Sequence, residues 1–371
     1  MPNKILFLTL KVFAATGGIE KVCRVAGKAL YEMTISKDAT ALIYSMYDKQ
    51  KDADENRYFP SEMFRGFGTA KIKFILSSLL KARSCDTVIL SHINLLLVGW
   101  MIKKISPSTR IILFAHGIEI WGKLGSRKRM MLQCCDSIIP VSQFTSDKIQ
   151  KVHHISANKC RVLNNCLDPF LPLGKEKSGR EIFRKKYGYT GNEQVLFTLT
   201  RLSSKERYKG YDRVLHALVK VKEQYPQIRY LIAGSYDPQE KAHLDELIAR
   251  LGLNEHVIIA GFIDDAVLVD HFTMADIYVM PSMKEGFGIV FIEAMYYGLP
   301  VIAGNKDGSV DALCNGKLGI LVDPLDTKAI EEAIERILQN KQKFLPDREL
   351  LMANFSYENY KHKLETIIEQ P

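Results

Sequence analysis

Short apolar runs alternate with amphipathic patterns of helical period through nearly the whole chain. In the front half, the apolar runs predict strands at residues 4–10, 41–46, 87–91, 110–114, 137–141 and 161–163. A second series predicts strands at residues 194–199, 229–233, 256–260, 277–280, 300–303 and 319–322. Continuous apolar strands separated by helices are typical of parallel sheets that are covered on both faces. The two series therefore predict an α/β protein with two doubly wound, Rossmann-like domains.

The segment between the two series, residues 168–179, is rich in proline, glycine and charged residues, which is typical of a linker. We therefore predict an N-terminal domain over residues 1–168 and a second domain over residues 169–352. The chain closes on a helical pattern, from about residue 353 to 371, that we expect to pack back on the first domain. Its apolar positions share one face: Tyr357, Tyr360, Leu364 and Ile367.

The composition, 47% hydrophobic and 25% charged, is ordinary for a soluble protein. The longest apolar run, residues 95–102, is far shorter than the roughly 18 residues that a membrane-spanning helix needs. The first ten residues lack a small-residue cleavage site, so we interpret them as a first strand rather than an export signal. These features predict a cytoplasmic protein.

The seven cysteines are odd in number and form no C-x-x-C pair, so we expect reduced thiols rather than disulfides or a zinc site. His153 and His154 are adjacent and would point in different directions on a helix. No further ligand set accompanies them, and we predict no bound metal.

The net charge of +9 is concentrated in the front half, where residues up to Asp168 include 25 basic and 13 acidic side chains. One basic segment, residues 71–83, places apolar side chains at helical spacing between lysines. This pattern is typical of a helix that rests on an anionic membrane surface, and also of an ordinary core-packing helix with solvated lysines. Nucleic acid is not an expected partner, because no recognition module accompanies the charge.

The stretch EGFGIVFIE places Glu285 and Glu293 around a glycine-rich turn, after an apolar strand and at the start of a predicted helix. Backbone N–H groups at such a helix start bind anions. If both glutamates lie on one helix, their spacing puts them on roughly one side of it. Carboxylates beside a phosphate site suit a sugar nucleotide, although a glutamate at a helix start is often only a capping group.

Three further stretches carry candidate binding residues. Gly17 and Gly18 open a helix after the first strand, where small residues let a phosphate approach the backbone. His116 follows the fourth front strand and so lies at the carboxyl edge of a parallel sheet, where ligands bind. Arg201 and Lys209 follow the first strand of the second domain, and two cations facing an anion site complete a diphosphate clamp. Each of these residues alone is also typical of a solvated loop.

The order of these motifs resembles glycosyltransferase family 4, retaining enzymes of the GT-B fold. The matching segments are GGIEKV, HGIEIW, VLNNCLD, RLSSKERYKGYD, AGF and above all PSMKEGFGIVFIEAMYYGLPVIA. The resemblance implies two Rossmann-like domains with an inter-domain cleft, in which the second domain holds a nucleotide-sugar donor and the first binds the acceptor. Two departures stand out: Thr200 replaces a usual glycine, and KDGSVD at 306–311 replaces a usual Gly-Gly-x-Pro-Glu.

The resemblance also implies a role for each candidate residue. Arg201 and Lys209 would bind the donor phosphates, Glu285 the transferred sugar and Glu293 the ribose hydroxyls. His116 would hydrogen-bond the sugar, and it belongs with Arg201, Lys209 and Glu285 to the catalytic set. The remaining donor contacts would come from Gly17, Gly18, Phe262, Ile263, Gly286, Phe287, Gly288 and Ile289.

The expected function is retaining transfer of a hexose from a nucleotide diphosphate sugar to a hydroxyl group, in cell-surface polysaccharide synthesis. A UDP-sugar such as UDP-glucose is favoured over GDP-mannose, and the acceptor is a saccharide or a lipid-linked saccharide. No metal or other cofactor is expected, because the arginine and lysine take its place. We expect the enzyme on the inner face of the cytoplasmic membrane, as a peripheral protein. Two alternatives remain: a nucleotide-sugar epimerase of the same fold, and a non-catalytic nucleotide-sugar-binding subunit.

Overall fold

The computed structural model describes residues 3–37, 39–173 and 177–370. It divides the chain into two compact units: unit 1 contains residues 1–169 together with 356–371, and unit 2 contains residues 170–355.

The domain borders predicted from the sequence can be compared with the borders of the two units. The predicted borders follow residues 168 and 352, and the borders of the units follow residues 169 and 355. Of the predicted linker, residues 174–176 lie outside the described part, and a helix already begins at Lys177. The ends of the predicted terminal segments, residues 1–2 and 371, also lie outside the described part.

Unit 1 is built on a six-stranded sheet in the order β3-β2-β1-β4-β5-β6, and all of its pairings are parallel. The strands are β1 Asn3–Thr9, β2 Ala39–Ser45, β3 Phe64–Gly66, β4 Thr87–Leu90, β5 Arg110–Ala115 and β6 Ser137–Pro140. The helices are α1 Gly18–Ser36, α2 Lys71–Ala82, α3 Leu96–Ile105, α4 Ile118–Trp121, α5 Ser126–Gln133 and α6 Gln143–His153.

Two details of this sheet differ from the sequence-based expectation. The predicted strand at 161–163 is wrong: the N–H groups of Arg161 and Leu163 donate to carbonyls of β6, but the pairing amounts to one isolated bridge. The sixth strand is instead β3, a three-residue strand that pairs with β2. Its sequence, FRG, is too short and too mixed to show an apolar run.

Unit 2 repeats the same topology with the order β12-β11-β10-β7-β8-β9, again parallel throughout. Its strands are β7 Gln194–Leu199, β8 Ile228–Ala233, β9 Val257–Gly261, β10 Ile277–Met280, β11 Val301–Gly304 and β12 Ile320–Val322. Its helices are α7 Lys177–Lys185, α8 Tyr211–Gln224, α9 Pro238–Arg250, α10 Asp265–Met274, α11 Ile289–Tyr296, α12 Ser309–Ala312, α13 Thr327–Gln339 and α14 Arg348–Phe355. The prediction of two doubly wound parallel-sheet domains is confirmed.

The last helix, α15 Tyr357–Glu369, belongs to unit 1 although the chain reaches it through unit 2. The face predicted from the sequence pattern is the buried one, and it is covered by unit 1. At its edge, Lys361 forms an ion pair with Glu32 of α1 at 3.0 Å, and the Lys28 ammonium lies 5.4 Å from the Tyr357 ring centroid. The two helices are therefore joined by apolar packing with a charged margin.

Within the described ranges, every helix falls short of the length and apolar character required to cross a bilayer.

Candidate active site

The loops that follow β7, β10 and β11 meet at the carboxyl edge of the second sheet, because these three strands are neighbours in it. The loops carry Arg201, Glu285 and Asp307, respectively. The strand order reverses between β7 and β10, and open parallel sheets bind ligands at this kind of switch point.

The loop after β10 runs from Pro281 to Gly288, and α11 begins only at Ile289. Glu285 therefore lies in the loop, so the two glutamates do not share one helix. Gly288 explains the late start, because its φ of 86° is left-handed and any side chain there would lie 2.4 Å from the Phe291 ring. Glu293 alone lies on α11.

The backbone at the start of α11 presents hydrogen-bond donors. Within the described ranges, the N–H groups of residues 286–289 donate to no protein acceptor. Such donors at a helix N-terminus form an anion site, which the helix dipole strengthens.

Lys209 and Glu285 form an ion pair between the loops that follow β7 and β10. Both side chains are mostly covered, at 13% and 19% exposed. Burial alone would lower the pKa of Lys209, but the Glu285 carboxylate outweighs it and the pKa is raised. The lysine therefore carries its charge throughout the physiological pH range.

Close backbone contacts hold these two loops in register. The Met283 N–H donates to the Tyr208 carbonyl at 2.9 Å. Gly210 has a φ of 82°, and a side chain there would lie 2.3 Å from the Pro281 carbonyl oxygen. The ion pair therefore stands on a backbone that has little freedom to separate its two members.

The loop after β11 fixes the backbone of Glu285 itself. The Asp307 carboxylate accepts the Glu285 N–H at 2.7 Å and the Ser309 N–H at 2.9 Å, and the Glu285 carbonyl accepts the Gly308 N–H at 2.8 Å. Asp307 is fully buried, and burial raises its pKa to about 7. Gly308 has no room for a side chain, because a Cβ atom would lie 2.0 Å from the Gly286 carbonyl oxygen.

Arg201 does not join the Lys209–Glu285 pair directly. Its side chain is 67% exposed and pairs with Glu206 at 3.0 Å. The Tyr208 phenol links the two pairs electrostatically: burial and Glu206 raise its pKa, while Lys209 and Arg201 oppose the rise. The two predicted phosphate-binding cations thus lie around one aromatic side chain.

The other predicted donor residues of unit 2 differ in exposure. Phe262, after β9, is 62% exposed, whereas Ile263 beside it is buried. The Phe287 side chain is buried against Phe355, with ring centroids 5.5 Å apart, so only its backbone can serve a ligand. Glu293 is 2% exposed, and its carboxylate is far less accessible than that of Glu285.

In unit 1, the glycines and the histidine lie at the carboxyl edge of the first sheet. Gly17 caps α1 and Gly18 is its first residue. A side chain on Gly17 would meet the Glu20 carboxylate at 2.5 Å, whereas the space beside Gly18 is open within 4 Å. The backbone at Gly18 is thus approachable.

His116 follows β5 and is held at both its backbone and its ring. Its N–H donates to the Glu119 carboxylate at 2.6 Å, and its Nε2 lies 2.7 Å from the Ser91 carbonyl oxygen. A carbonyl only accepts hydrogen bonds, so Nε2 carries a proton and donates it to Ser91. His92 lies nearby, and its pKa is lowered by burial, with Glu119 opposing and His116 adding to the effect.

The described residues contain no group of three His, Cys, Asp or Glu side chains that could hold a metal ion. All seven cysteines are free thiols. Burial raises the pKa of Cys23 and of Cys135 to about 12, so these two thiols are unreactive.

Comparison with solved structures defines the class of the fold. HepE of Anabaena, solved in complex with UDP, superimposes with a TM-score of 0.82 at 20% identity, over 98% of this chain and 99% of that one. WaaG, a glycosyltransferase involved in lipopolysaccharide biosynthesis, gives a TM-score of 0.62 at 18% identity over 97% and 95% of the two chains. The fold is that of the GT-B glycosyltransferases, as the sequence predicts.

Sequence comparison gives the same class. Residues 179–361, just under half of the chain, match the model for Glycosyl transferases group 1. A GDP-mannose-dependent alpha-(1-6)-phosphatidylinositol monomannoside mannosyltransferase of Mycolicibacterium smegmatis is 28% identical over 67% of this chain and 66% of its own length. An uncharacterized glycosyltransferase of Methanocaldococcus jannaschii is 27% identical over 55% and 51%, respectively. The chain thus spans about half to two thirds of these two relatives.

Sequence reasoning missed three residues that the structure places beside the candidates: Tyr208, Asp307 and His92. Tyr208 and His92 adjoin strand-ending loops in which polar or aromatic residues are common. The sequence did contain a signal for Asp307, because this residue lies in the segment that departs from the family pattern. Its contact with the Glu285 backbone gives that departure a structural meaning.

Proposed function

We propose that the protein is a retaining hexosyltransferase that transfers a hexose from a nucleotide diphosphate sugar to a hydroxyl of a saccharide or lipid-linked saccharide. The reaction breaks the bond between the anomeric carbon and the diphosphate oxygen and forms a bond to the acceptor oxygen. The acceptor proton leaves with the departing diphosphate. No metal ion is included in this proposal, and its product would serve cell-surface polysaccharide synthesis.

The observation that carries the proposal is the mostly covered Lys209–Glu285 pair beside the N–H groups at the start of α11. Charge builds on the diphosphate as the sugar leaves, and fixed donors stabilise it best where water is scarce. Each such donor is worth about 3 kcal/mol by analogy with oxyanion sites. Lys209, which its surroundings keep protonated, is suited to this task.

In this proposal Glu285 has one partner in the free protein and another when the donor is bound. In the free protein its carboxylate neutralises Lys209. A diphosphate competes for the lysine, and the carboxylate it displaces becomes available to accept hydroxyl groups of the sugar. Arg201, exposed and paired with Glu206, would add a second positive charge near Tyr208. Gly18 and His116 keep the donor contacts that the family resemblance implies for them.

We favour a UDP-sugar as donor, with GDP-mannose as the second candidate. The two comparisons name different nucleotides: UDP is bound in the Anabaena structure, and GDP-mannose is used by the mycobacterial relative. The exposed Phe262 ring offers a stacking surface to either base.

A thermal-shift panel of UDP, UDP-glucose, GDP and GDP-mannose tests the proposal, because a bound ligand raises the melting temperature by mass action. We expect one nucleotide series to stabilise the protein and Lys209→Ala to abolish the shift. Lys220→Ala is the matched control, because this lysine forms an exposed pair with Glu223 in the same unit. An equal shift in wild type and Lys209→Ala would contradict the assignment.

Product analysis separates the enzyme classes. A transferase consumes donor in proportion to acceptor and keeps the anomeric configuration, whereas an epimerase converts the donor alone. A non-catalytic subunit would bind the nucleotide sugar and leave it unchanged.

We further propose that α2 docks the enzyme on the inner face of the cytoplasmic membrane. Its side chains Ile72, Leu76 and Leu80 recur every fourth residue and are 76%, 56% and 67% exposed, while Phe74, Ser78 and Ala82 form its buried face. Lys71, Lys73 and Lys81 flank the apolar stripe. A basic amphipathic helix of this kind fits the headgroup region of anionic lipid.

Sedimentation with vesicles of phosphatidylglycerol and of phosphatidylcholine tests the docking. We expect binding to the anionic vesicles only, weakened by salt, and lost when Ile72, Leu76 and Leu80 are all changed to serine. Ile35→Ser, at an equally exposed isoleucine of α1, is the control. Equal binding to both lipids would discard the idea.

A further inference from the structure

Unit 1 contains a cavity at the edge of its sheet opposite to His116. It lies at the amino ends of β5 and β6 and has a volume of about 430 Å³. Its lining combines cations with hydroxyl and amide groups: Lys103, Ser108, Arg110, Asp136, Ser137, Asn158, Lys159 and Arg161. Four of these side chains are cationic and one is anionic.

The single carboxylate of the cavity is already engaged. Asp136 accepts from Lys103 at 2.9 and 3.0 Å and from the Ile111 N–H at 2.8 Å. It therefore balances Lys103. Arg161 donates to the Gln370 side-chain oxygen at 2.7 Å.

Arg110 and Lys159 donate to neutral carbonyl oxygens. The Lys159 ammonium donates to the carbonyls of Gln133 and Cys135 at 3.0 and 2.9 Å. The Arg110 guanidinium donates to the carbonyls of Ile367 and Ile368, in the last turn of α15, at 2.9 and 2.7 Å. Carbonyl groups orient these cations without neutralising them.

Burial and a neighbouring cation lower the pKa of Arg110. Burial lowers its pKa, Arg161 lowers it further, and Asp136 only partly opposes the effect. An anion in the cavity would relieve both the burial cost and the repulsion.

We propose that this cavity is a second anion site, which binds the phosphate group of a small phosphorylated molecule or of a lipid headgroup. Arginine and lysine are the side chains that recognise phosphate oxygens, and the hydroxyl of Ser108 and the amide of Asn158 supply neutral donors beside them. The volume exceeds what one phosphate fills, so a phosphate with an organic group attached fits better than the free ion.

Calorimetric titration with inorganic pyrophosphate at low salt tests the site. The titration is made in a Lys209→Ala background, so that the candidate active site of unit 2 does not contribute. Asn158→Asp adds one negative charge at an exposed position of the cavity and breaks no recorded hydrogen bond. We expect it to weaken pyrophosphate binding by about tenfold.

The matched control is Asn94→Asp, the same substitution at an exposed position beyond the carboxyl end of β4, at the other edge of the same sheet. Its affinity for pyrophosphate should equal that of the parent. If neither pyrophosphate nor phosphatidylglycerol vesicles bind the parent, or if Asn158→Asp changes the affinity for neither, the proposal is overturned. Repeating the comparison with phosphatidylglycerol vesicles distinguishes the two sources of phosphate. If Asn158→Asp weakens binding to vesicles alone, the ligand is a lipid headgroup. If it weakens pyrophosphate binding, the ligand is a soluble phosphorylated molecule.

Discussion

The two sheets share one strand order but carry different chemistry at their carboxyl edges. In unit 2 the edge holds the mostly covered ion pair Lys209–Glu285, and three loops are bonded to one another around it. In unit 1 the buried Asp48 carboxylate accepts the N–H groups of residues 12–14, and the edge presents an approachable glycine backbone and the His116 ring. The lysine at the edge of unit 2 suits a diphosphate, whereas the imidazole at the edge of unit 1 suits hydroxyl groups.

The largest expected effect comes from the carboxyl edge of unit 2. Glu285→Gln should lower turnover by roughly a hundredfold to a thousandfold, the range seen when one preorganised polar group is removed. Its affinity for free UDP or GDP should not weaken, because the carboxylate no longer competes for Lys209. Steady-state kinetics and calorimetry measure the two quantities. Glu223→Gln, in the exposed pair with Lys220, is the control. Wild-type turnover in Glu285→Gln would show that the carboxyl edge of unit 2 contributes no more to catalysis than that of unit 1.

The loop contacts of unit 2 predict the next effect. Gly308→Ala forces a methyl group against the Gly286 carbonyl oxygen, which lies 2.0 Å from the Cβ position. We expect a loss of about 1–3 kcal/mol in the free energy of unfolding, measured by urea denaturation. Gly122→Ala, where nothing lies within 4 Å, should change stability little. Equal stability of the two variants would mean that the loops of unit 2 can rearrange around the methyl group at little cost in free energy.

Asp307 predicts a pH dependence of the free energy of unfolding. Its folded pKa of about 7 lies above the usual value of 3.8, so the folded state binds its proton more tightly than the unfolded state does. Its contribution to stability is therefore full below about pH 4 and is lost as the pH rises towards 7. The slope is at most about 1.4 kcal/mol per pH unit.

Urea unfolding of wild type and Asp307→Asn between pH 5 and pH 8 measures this term. The wild type should lose stability relative to the variant as the pH rises through this window. A constant difference between the two proteins would show that Asp307 does not titrate there.

The smallest effect is expected at the carboxyl edge of unit 1. His116→Ala removes one hydrogen-bonding group, worth about 1 kcal/mol, so kcat/KM should fall about fivefold to tenfold. His362→Ala, at an exposed position of α15, is the control. A loss as large as that of Glu285→Gln would mean that the edge of unit 1 takes a direct part in the charge-building step.

The sequence predicts the fold well because buried parallel strands are continuous apolar runs, and eleven of the twelve strands of the two sheets are such runs. The strand that it misses, β3, is three residues long and is defined by its pairing with β2 rather than by its composition. The false strand at 161–163 has the right composition but only one bridge. Pairing, which no local pattern encodes, decides both cases.

The candidate site follows the same rule. Lys209, Glu285 and Glu293 can be selected from the sequence because their motifs are specific, but the pairing of Lys209 with Glu285 joins residues 76 positions apart. The loop position of Glu285 depends on the left-handed backbone of Gly288. The role of Asp307 depends on two N–H groups that a sequence does not display.

The placement of α15 has a consequence for how the protein is made. A ribosome completes unit 2 before it releases the helix that covers α1, so unit 1 waits with an apolar surface uncovered while its neighbour folds. During that interval the nascent protein is most exposed to aggregation and to chaperones. A premature stop shortly before Ser356 would therefore damage the domain that was synthesised first.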